Sequence, residues 1–506
     1  MLFLYDNVCT LAIAAVGCVF AWLYGGTIAS ALPPVMPWLF VFLFEAMLCF
    51  PQRMPGESTY SARERVWRAL KKDPLTWTVL AFIFLLAVPF LNTGLCPVCD
   101  YAKIHVLNQD PSPTVPFAPY CVNRMEHLNV FLWFLPALTA MLATKHALLK
   151  HGKRMLLSIF VWNGMFLALL GVIQQIADAE APLWAKLPGK TAYFFSTFGY
   201  PNMGGDYFTT LFAIAVALWR WNHHFAVKDR ASRGDSATKA PKHIYFWQKN
   251  LMLVPAAAFF FCALATLSRA SIMLVSLLAM LFFVHSLVSM FKKISKVKRF
   301  KTVVFSVAAM MGLLFCSFLF MPEPLQREID TLDTAAVLDR VTGRGQYHVR
   351  VAMEIWKDNF VFGCGGWGYR HFCLPKMTSD ELRQQQKVGG INVHNDYLQF
   401  LAEHGIVGFG LLVAIVILLL MDVFRNWEAL VRATRFVSRK ELPPKPVLLF
   451  VLPASAFCLL AAAVATFVHG FGDCPLRSPA VLTLFFVSLA SIDGFMPHMD
   501  EVERRH

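Results

Sequence analysis

The chain has 506 residues, of which 57% are hydrophobic and only 15% charged, with a formal net charge of +14. That apolar excess excludes a pair of soluble domains. The positive charge has an ordinary source in basic loops facing anionic lipid, and no basic soluble domain with base-reading elements is legible, which excludes nucleic acid as a partner.

Repeated apolar runs approach the ~20 residues that cross a bilayer as helix. Lipid cannot satisfy loose backbone polar groups, so these runs predict an all-α, polytopic transmembrane bundle. Spans are expected at 8–25, 32–50, 75–91, 128–144, 155–176, 204–220, 251–267, 271–290, 303–321, 400–421, 447–468 and 479–495, about twelve in all. The N-terminus lacks a basic leader and a small-residue cleavage site followed by polar sequence, so it reads as a first span. The chain divides into residues 1–321 with nine spans, a long loop 322–399, and residues 400–506 with three spans and a tail.

Loops 51–74, 145–154, 219–250, 291–302, 422–446 and the tail carry roughly two-thirds of the 46 Lys and Arg residues, which puts them and both termini on the cytoplasmic side. The long loop 322–399 then faces outward. Six of the twelve cysteines (Cys96, Cys99, Cys121, Cys364, Cys373 and Cys474) fall in outer loops. An even count suits disulfides in an oxidising compartment. Cys364–Cys373 and a pair among Cys96, Cys99 and Cys121 are the candidate pairings, and spacing does not choose among them.

Within the long loop, Val349, Ala352, Met353, Ile355 and Trp356 form an apolar set at helical spacing over 346–358. Gly363, Gly365, Gly366 and Gly368 break that helix, and a second helix is expected over 378–388. Long, partly structured loops are where function is usually mounted, and this one is expected to cap a cavity at the membrane face.

Three groups carry potential chemistry. Arg269 lies in a near-loopless turn between two spans; such an arginine must snorkel, pair or face a wet cavity, and a guanidinium fork binds phosphate oxygens bidentately. Thr342-Gly343-Arg344 offers a second fork, with Arg340 and Arg350 close by in sequence. His394, followed by Asn395, sits where the loop meets a hydrophobic helix, and an imidazole titrating near neutrality can take a proton from a hydroxyl. His348, His371 and His404 share the neighbourhood. The outer loops contain no DxD pair or HExxH helix and no GxSxG turn, so neither a resident metal nor a Ser hydrolase is expected. A transporter or flippase is the non-enzymatic alternative, since basic residues near a bilayer also mark substrate pathways.

Several segments in order over roughly 155–495 resemble the O-antigen ligase family of membrane glycosyltransferases. Phe198-Gly199-Tyr200-Pro201-Asn202 is similar to its F-x-N-P-N segment, with Tyr200 in place of the usual Asn. Ser268-Arg269-Ala270 matches its Ser-Arg-small element and Thr342-Gly343-Arg344 its SGR element, although His348 stands where the family often has Trp and no Pro precedes Gly363. His394-Asn395, nine residues, then Gly405-x-x-Gly408 gives its H-[NSQ]-x9-G-x2-G signature in full, and Asp473-x-Pro475 resembles its last outer loop.

The resemblance implies a GT-C-like fold in a bacterial inner membrane with a periplasmic active site. It implies a glycan donor on polyprenyl (undecaprenyl) diphosphate and an acceptor hydroxyl on lipid A–core, another glycan or a protein. Arg269 and Arg344 would bind the diphosphate and His394 would act as base in a metal-independent inverting transfer, with no cofactor. Asn395, Arg350 and Asp473 are expected to support the site. Ligation in lipopolysaccharide biosynthesis leads, with a polysaccharide polymerase or a protein O-oligosaccharyltransferase as alternatives.

Overall fold

The computed structural model describes residues 2–28, 31–92, 115, 117–185, 194–233, 250–291, 345–388, 391–437 and 453–496. The helices are α1 (Leu2–Trp22), α2 (Met36–Cys49), α3 (Thr59–Lys72), α4 (Pro74–Ala87), α5 (Arg124–His146), α6 (Lys150–Ile176), α7 (Pro201–Arg233) and α8 (Leu253–Ala265). They continue with α9 (Arg269–Phe291), α10 (Gly345–Asp358), α11 (Tyr369–Phe372), α12 (Ser379–Val388), α13 (Asp396–Val437), α14 (Ala454–Gly472) and α15 (Pro479–Ala490). Among the described residues there is no strand, only an isolated bridge between Phe195 and Phe198.

The protein is an all-helical, multi-pass membrane protein. Among the described residues, seven helices are long and apolar enough to cross a membrane: Tyr5–Trp22, Pro74–Leu91, Arg124–His146, Lys150–Ile176, Arg269–Leu287, Asp396–Arg425 and Ala454–Gly472. The expected spans at 32–50, 251–267 and 479–495 correspond to shorter apolar helices, Met36–Cys49, Leu253–Ala265 and Pro479–Ala490. The span expected at 204–220 lies inside α7, and the one at 303–321 falls outside the described residues.

Helix α7 is central, packing against α6, α8, α9 and α14, and it buries Tyr207, Phe208, Leu211 and Ile214. Helix α15 is apolar on every side and buried along its whole length, as a helix with no lipid-facing stripe must be. Elsewhere large apolar side chains face outward, among them Trp77, Phe84, Met273 and Ile417, where a bilayer rather than water accepts them.

Helices α5 and α13 fix the two ends of the bundle. At one end Lys145 of α5 pairs with Asp73 at 2.6 Å and with Asp422 of α13. At the other, Glu126 of α5 meets His371 of α11 at 2.6 Å. Residues 345–388 and 391–404 therefore cap one end. The cap has its own core of Tyr347, Val351, Ala352, Ile355, Cys364, Tyr369, Cys373, Met377, Val393 and Ala402.

The buried stripe of α10 runs through Tyr347, Val351, Ala352 and Ile355, while Val349 is exposed. The expected stripe is thus rotated, because Tyr347 and Val351 meet the cap core. Cys364 and Cys373 are separate buried thiols, so the expected bridge between them is not formed. Cys373 Sγ instead donates to Arg370 O within its own turn, at 3.6 Å. Cys121 is likewise free, donating to Pro89 O at 3.3 Å, and Cys96 and Cys99 fall outside the described residues.

The cap is sewn to the bundle at a break in α13. Gly405 adopts φ +63° and ψ −174°, outside the helical region, and frees carbonyls before it and N–H groups after it. Segment 360–365 takes both sets. Ile406 N and Val407 N donate to Phe360 O (2.9 Å) and Val361 O (3.1 Å), and Cys364 N and Gly365 N donate to Ala402 O (3.0 Å) and Glu403 O (2.9 Å). A Cβ on Gly405 would lie 2.3 Å from Val361 O, so only glycine fits. Beside this seam, Arg477 forms a buried ion pair with Glu403 and stacks on Trp367 at 4.5 Å, with Arg370 on the same ring at 3.4 Å.

Candidate active site

His394 lies just before α13 with its backbone at φ +54°, a region that costs a non-glycine residue about 1–3 kcal/mol unless its surroundings impose it. The surroundings here are the turn between α14 and α15. Asn395 caps α13 by accepting from Leu398 N at 3.0 Å, and its amide donates to Phe471 O at 3.0 Å. Asp396 N donates to Asp473 O at 3.2 Å, and the Asp396 carboxylate accepts from Leu476 N at 2.8 Å. Three successive residues are thus clamped to one turn, and His394 Nδ1 comes 3.4 Å from Asp473 Oδ1.

Asp473 gathers donors from distant parts of the chain. Tyr200 Oη donates to both carboxylate oxygens, at 3.0 and 2.9 Å, and Asn202 Nδ2 donates to Oδ2. Cys474 contributes its N–H at 2.7 Å and its thiol at 3.2 Å. Tyr200 and Asn202 flank Pro201, which opens α7, so the helix start aims both side chains at one carboxylate. Ser268 Oγ donates to Asn202 Oδ1 and accepts from Ser271 N, capping α9. Arg269, the first residue of α9, is half-buried beside that cap.

This constellation polarises the imidazole. Burial pulls the His394 pKa down, but the hydrogen bond and charge of Asp473 outweigh it and raise the pKa above the usual histidine value. Burial pushes Asp473 up, and the hydrogen bond and charge of His394 hold it below the usual carboxylate range. Tyr200 is raised well above its ordinary value by burial and then by the Asp473 charge, so it stays a donor.

The other imidazoles separate. His348 lies with its ring 6.0 Å from that of His394 and its Nδ1 3.0 Å from Tyr369 Oη. Burial and the His394 charge lower its pKa to about 4, which keeps it neutral. His371 is held by Glu126, and His404 is buried among Phe82, Phe134 and Phe400.

Residues 254–413 match the family described as O-antigen ligase. That match supports assigning the chain to the O-antigen ligase family. Its members are membrane glycosyltransferase-like enzymes, and the match supports ligase- or polymerase-type glycosyl transfer. No curated protein matches the chain. The matched segment holds Ser268, Arg269, His394 and Gly405, and the fold brings Asp473, Tyr200 and Asn202 to it from outside.

Of the residues expected at the site, the structure joins His394 to Asp473 and sets Asn395 beside them as a clamp. Arg350 is committed elsewhere on an exposed face, to Glu354 at 2.8 Å and Glu381 at 2.7 Å, where it docks α10 to α12. Arg344 falls outside the described residues. Tyr200, Asn202 and Ser268 lie in segments that resemble the family, but nothing in their spacing marks them as partners of Asp473. Also unforeseen is that His394, Asp473 and Cys474 bring ligating atoms within 4.8 Å of one another, a donor set able to hold a metal ion.

Proposed function

We propose that the protein transfers a glycan from a polyprenyl diphosphate to an acceptor hydroxyl at the outer face of a bacterial inner membrane, as an O-antigen ligase acting on lipid A–core. The observation that carries the reading is the His394–Asp473 pair, with His394 inside the segment that matches this family. With Nδ1–H held by Asp473, Nε2 carries the lone pair that takes the proton of the acceptor hydroxyl. The oxygen attacks the anomeric carbon with inversion as the bond to the diphosphate breaks and its electron pair leaves with the phosphate. Arg269 and Arg344 stabilise the charge growing on that leaving group. Asp473 stabilises the imidazolium, and no metal is required. The charge bias of the loops supports a periplasmic site and cytoplasmic termini.

Deletion of the gene followed by analysis of the surface glycan and its carrier tests the assignment. A ligase leaves long glycans stranded on the prenyl carrier, and single repeats alone would make the protein a polymerase. Unchanged glycans in both pools would remove the enzymatic reading and favour transport. In purified protein, His394→Ala lowers transfer at least ~100-fold while donor binding persists; wild-type turnover would remove His394 as the base.

A further inference from the structure

The turn that orients the base also carries a soft ligand. Cys474 Sγ lies 3.2 Å and His394 Nδ1 3.4 Å from the same oxygen, Asp473 Oδ1, and all three atoms fall within 4.8 Å of one another. Zinc bound to sulfur, nitrogen and oxygen at about 2.0–2.3 Å holds its tetrahedral ligand atoms roughly 3.3–3.7 Å apart. Two of the separations therefore already match within a few tenths of an ångström.

The surroundings favour the same geometry. Asn202 donates to Asp473 Oδ2 and Tyr200 to both carboxylate oxygens, which anchors the carboxylate while Oδ1 lies toward the histidine and cysteine, the kind of outer support that tunes metal ligands. The Cys474 and Asp473 side chains are buried, whereas the His394 side chain is 39% exposed, leaving one open corner for entry and for a water. The N, O and S donor set suits zinc or a similar borderline divalent ion and not magnesium or calcium.

We propose that His394, Asp473 and Cys474 form an inhibitory site for zinc-class divalent ions that silences the transferase. The metal takes the Nδ1 lone pair, so the single proton of the neutral ring moves to Nε2. That fills the lone pair which accepts the hydroxyl proton. Cys474 releases its thiol proton to solvent and Asp473 remains a carboxylate, so binding releases one proton and changes no oxidation state. The metal site itself stands on geometry; only the inhibition rests on His394 being the base.

The test uses the full chain in detergent, with Co²⁺ as a spectroscopic stand-in for Zn²⁺. Wild type is expected to take up one equivalent with a thiolate-to-cobalt absorption band that Zn²⁺ displaces, and Cys474→Ser and Cys474→Ala both lose that band. Transfer, scaled to each variant's own rate in chelator, falls at least tenfold with Zn²⁺ in wild type, returns on chelation, and resists Zn²⁺ in the Cys474 variants. No band sensitive to Cys474 overturns the site. A Cys474-dependent band with undiminished transfer upholds the site and removes His394 as the base.

Discussion

Asp473→Asn should disable the site without removing any atom that fills space. The carboxylate oxygen lies 3.4 Å from His394 Nδ1, so its attraction to the imidazolium formed during transfer is about 5 kcal/mol at an effective dielectric of 20. The His394 side chain is 39% exposed, and solvent screening reduces that figure to about 2 kcal/mol. Loss of this term alone slows transfer roughly 30-fold. The new amide can also donate to Nδ1 and select the wrong tautomer, which extends the loss toward ~10⁴-fold.

The pH profile of kcat/KM, measured with chelator present, separates this from a folding defect. A base must be neutral to work, so with His394 in that proposed role wild-type activity should rise as pH climbs through its raised pKa. In the variant only burial remains, and the limb moves to lower pH. A variant with the wild-type limb and a rate within about twofold of wild type would refute the pair as the catalytic unit.

The same pair makes stability depend on pH. Its contribution is present between the ordinary carboxylate and histidine values, about 3.9 and 6.5, fading as pH rises through the raised His394 pKa or falls through the lowered Asp473 pKa; the Tm gap between wild type and Asp473→Asn should be widest in mild acid and narrow at pH ~9. Glu403→Ala strands the buried Arg477 and should cost about 3–5 kcal/mol, read as a fall in Tm and in folded yield; an unchanged Tm would mean the pair does not hold the seam. Gly405→Ala forces a Cβ to 2.3 Å from Val361 O at positive φ, costing more than ~1 kcal/mol, with faster amide exchange expected at Ile406 and Val407. Ser268→Ala removes the donor to Asn202, worth about 1 kcal/mol, and should slow transfer roughly fivefold without altering KM for the acceptor.

Helix content and membrane class were legible because apolar runs report the solvent they face. The α10 segment and the glycine break after it were legible too, since both are local. His394 stood out as a candidate because its spacing to Gly405 and Gly408 lies within one segment. The structure shows why that spacing exists: Gly405 must end the helical turn that His394 precedes, so that segment 360–365 can bond the severed ends.

The rest depends on contacts between residues far apart in the chain. Nothing local marks Tyr200, Asn202 and Asp473 as one cluster, because a helix start and a turn between two other helices meet only when the bundle packs. For the same reason local sequence offered Arg350 as a site residue, and only its two carboxylate partners reveal a docking role. Sequence by itself determined the solvent, the helices and the titratable group. Tertiary structure decided which carboxylate that group faces, since a hydrogen-bond partner is chosen by distance in space and not by position along the chain.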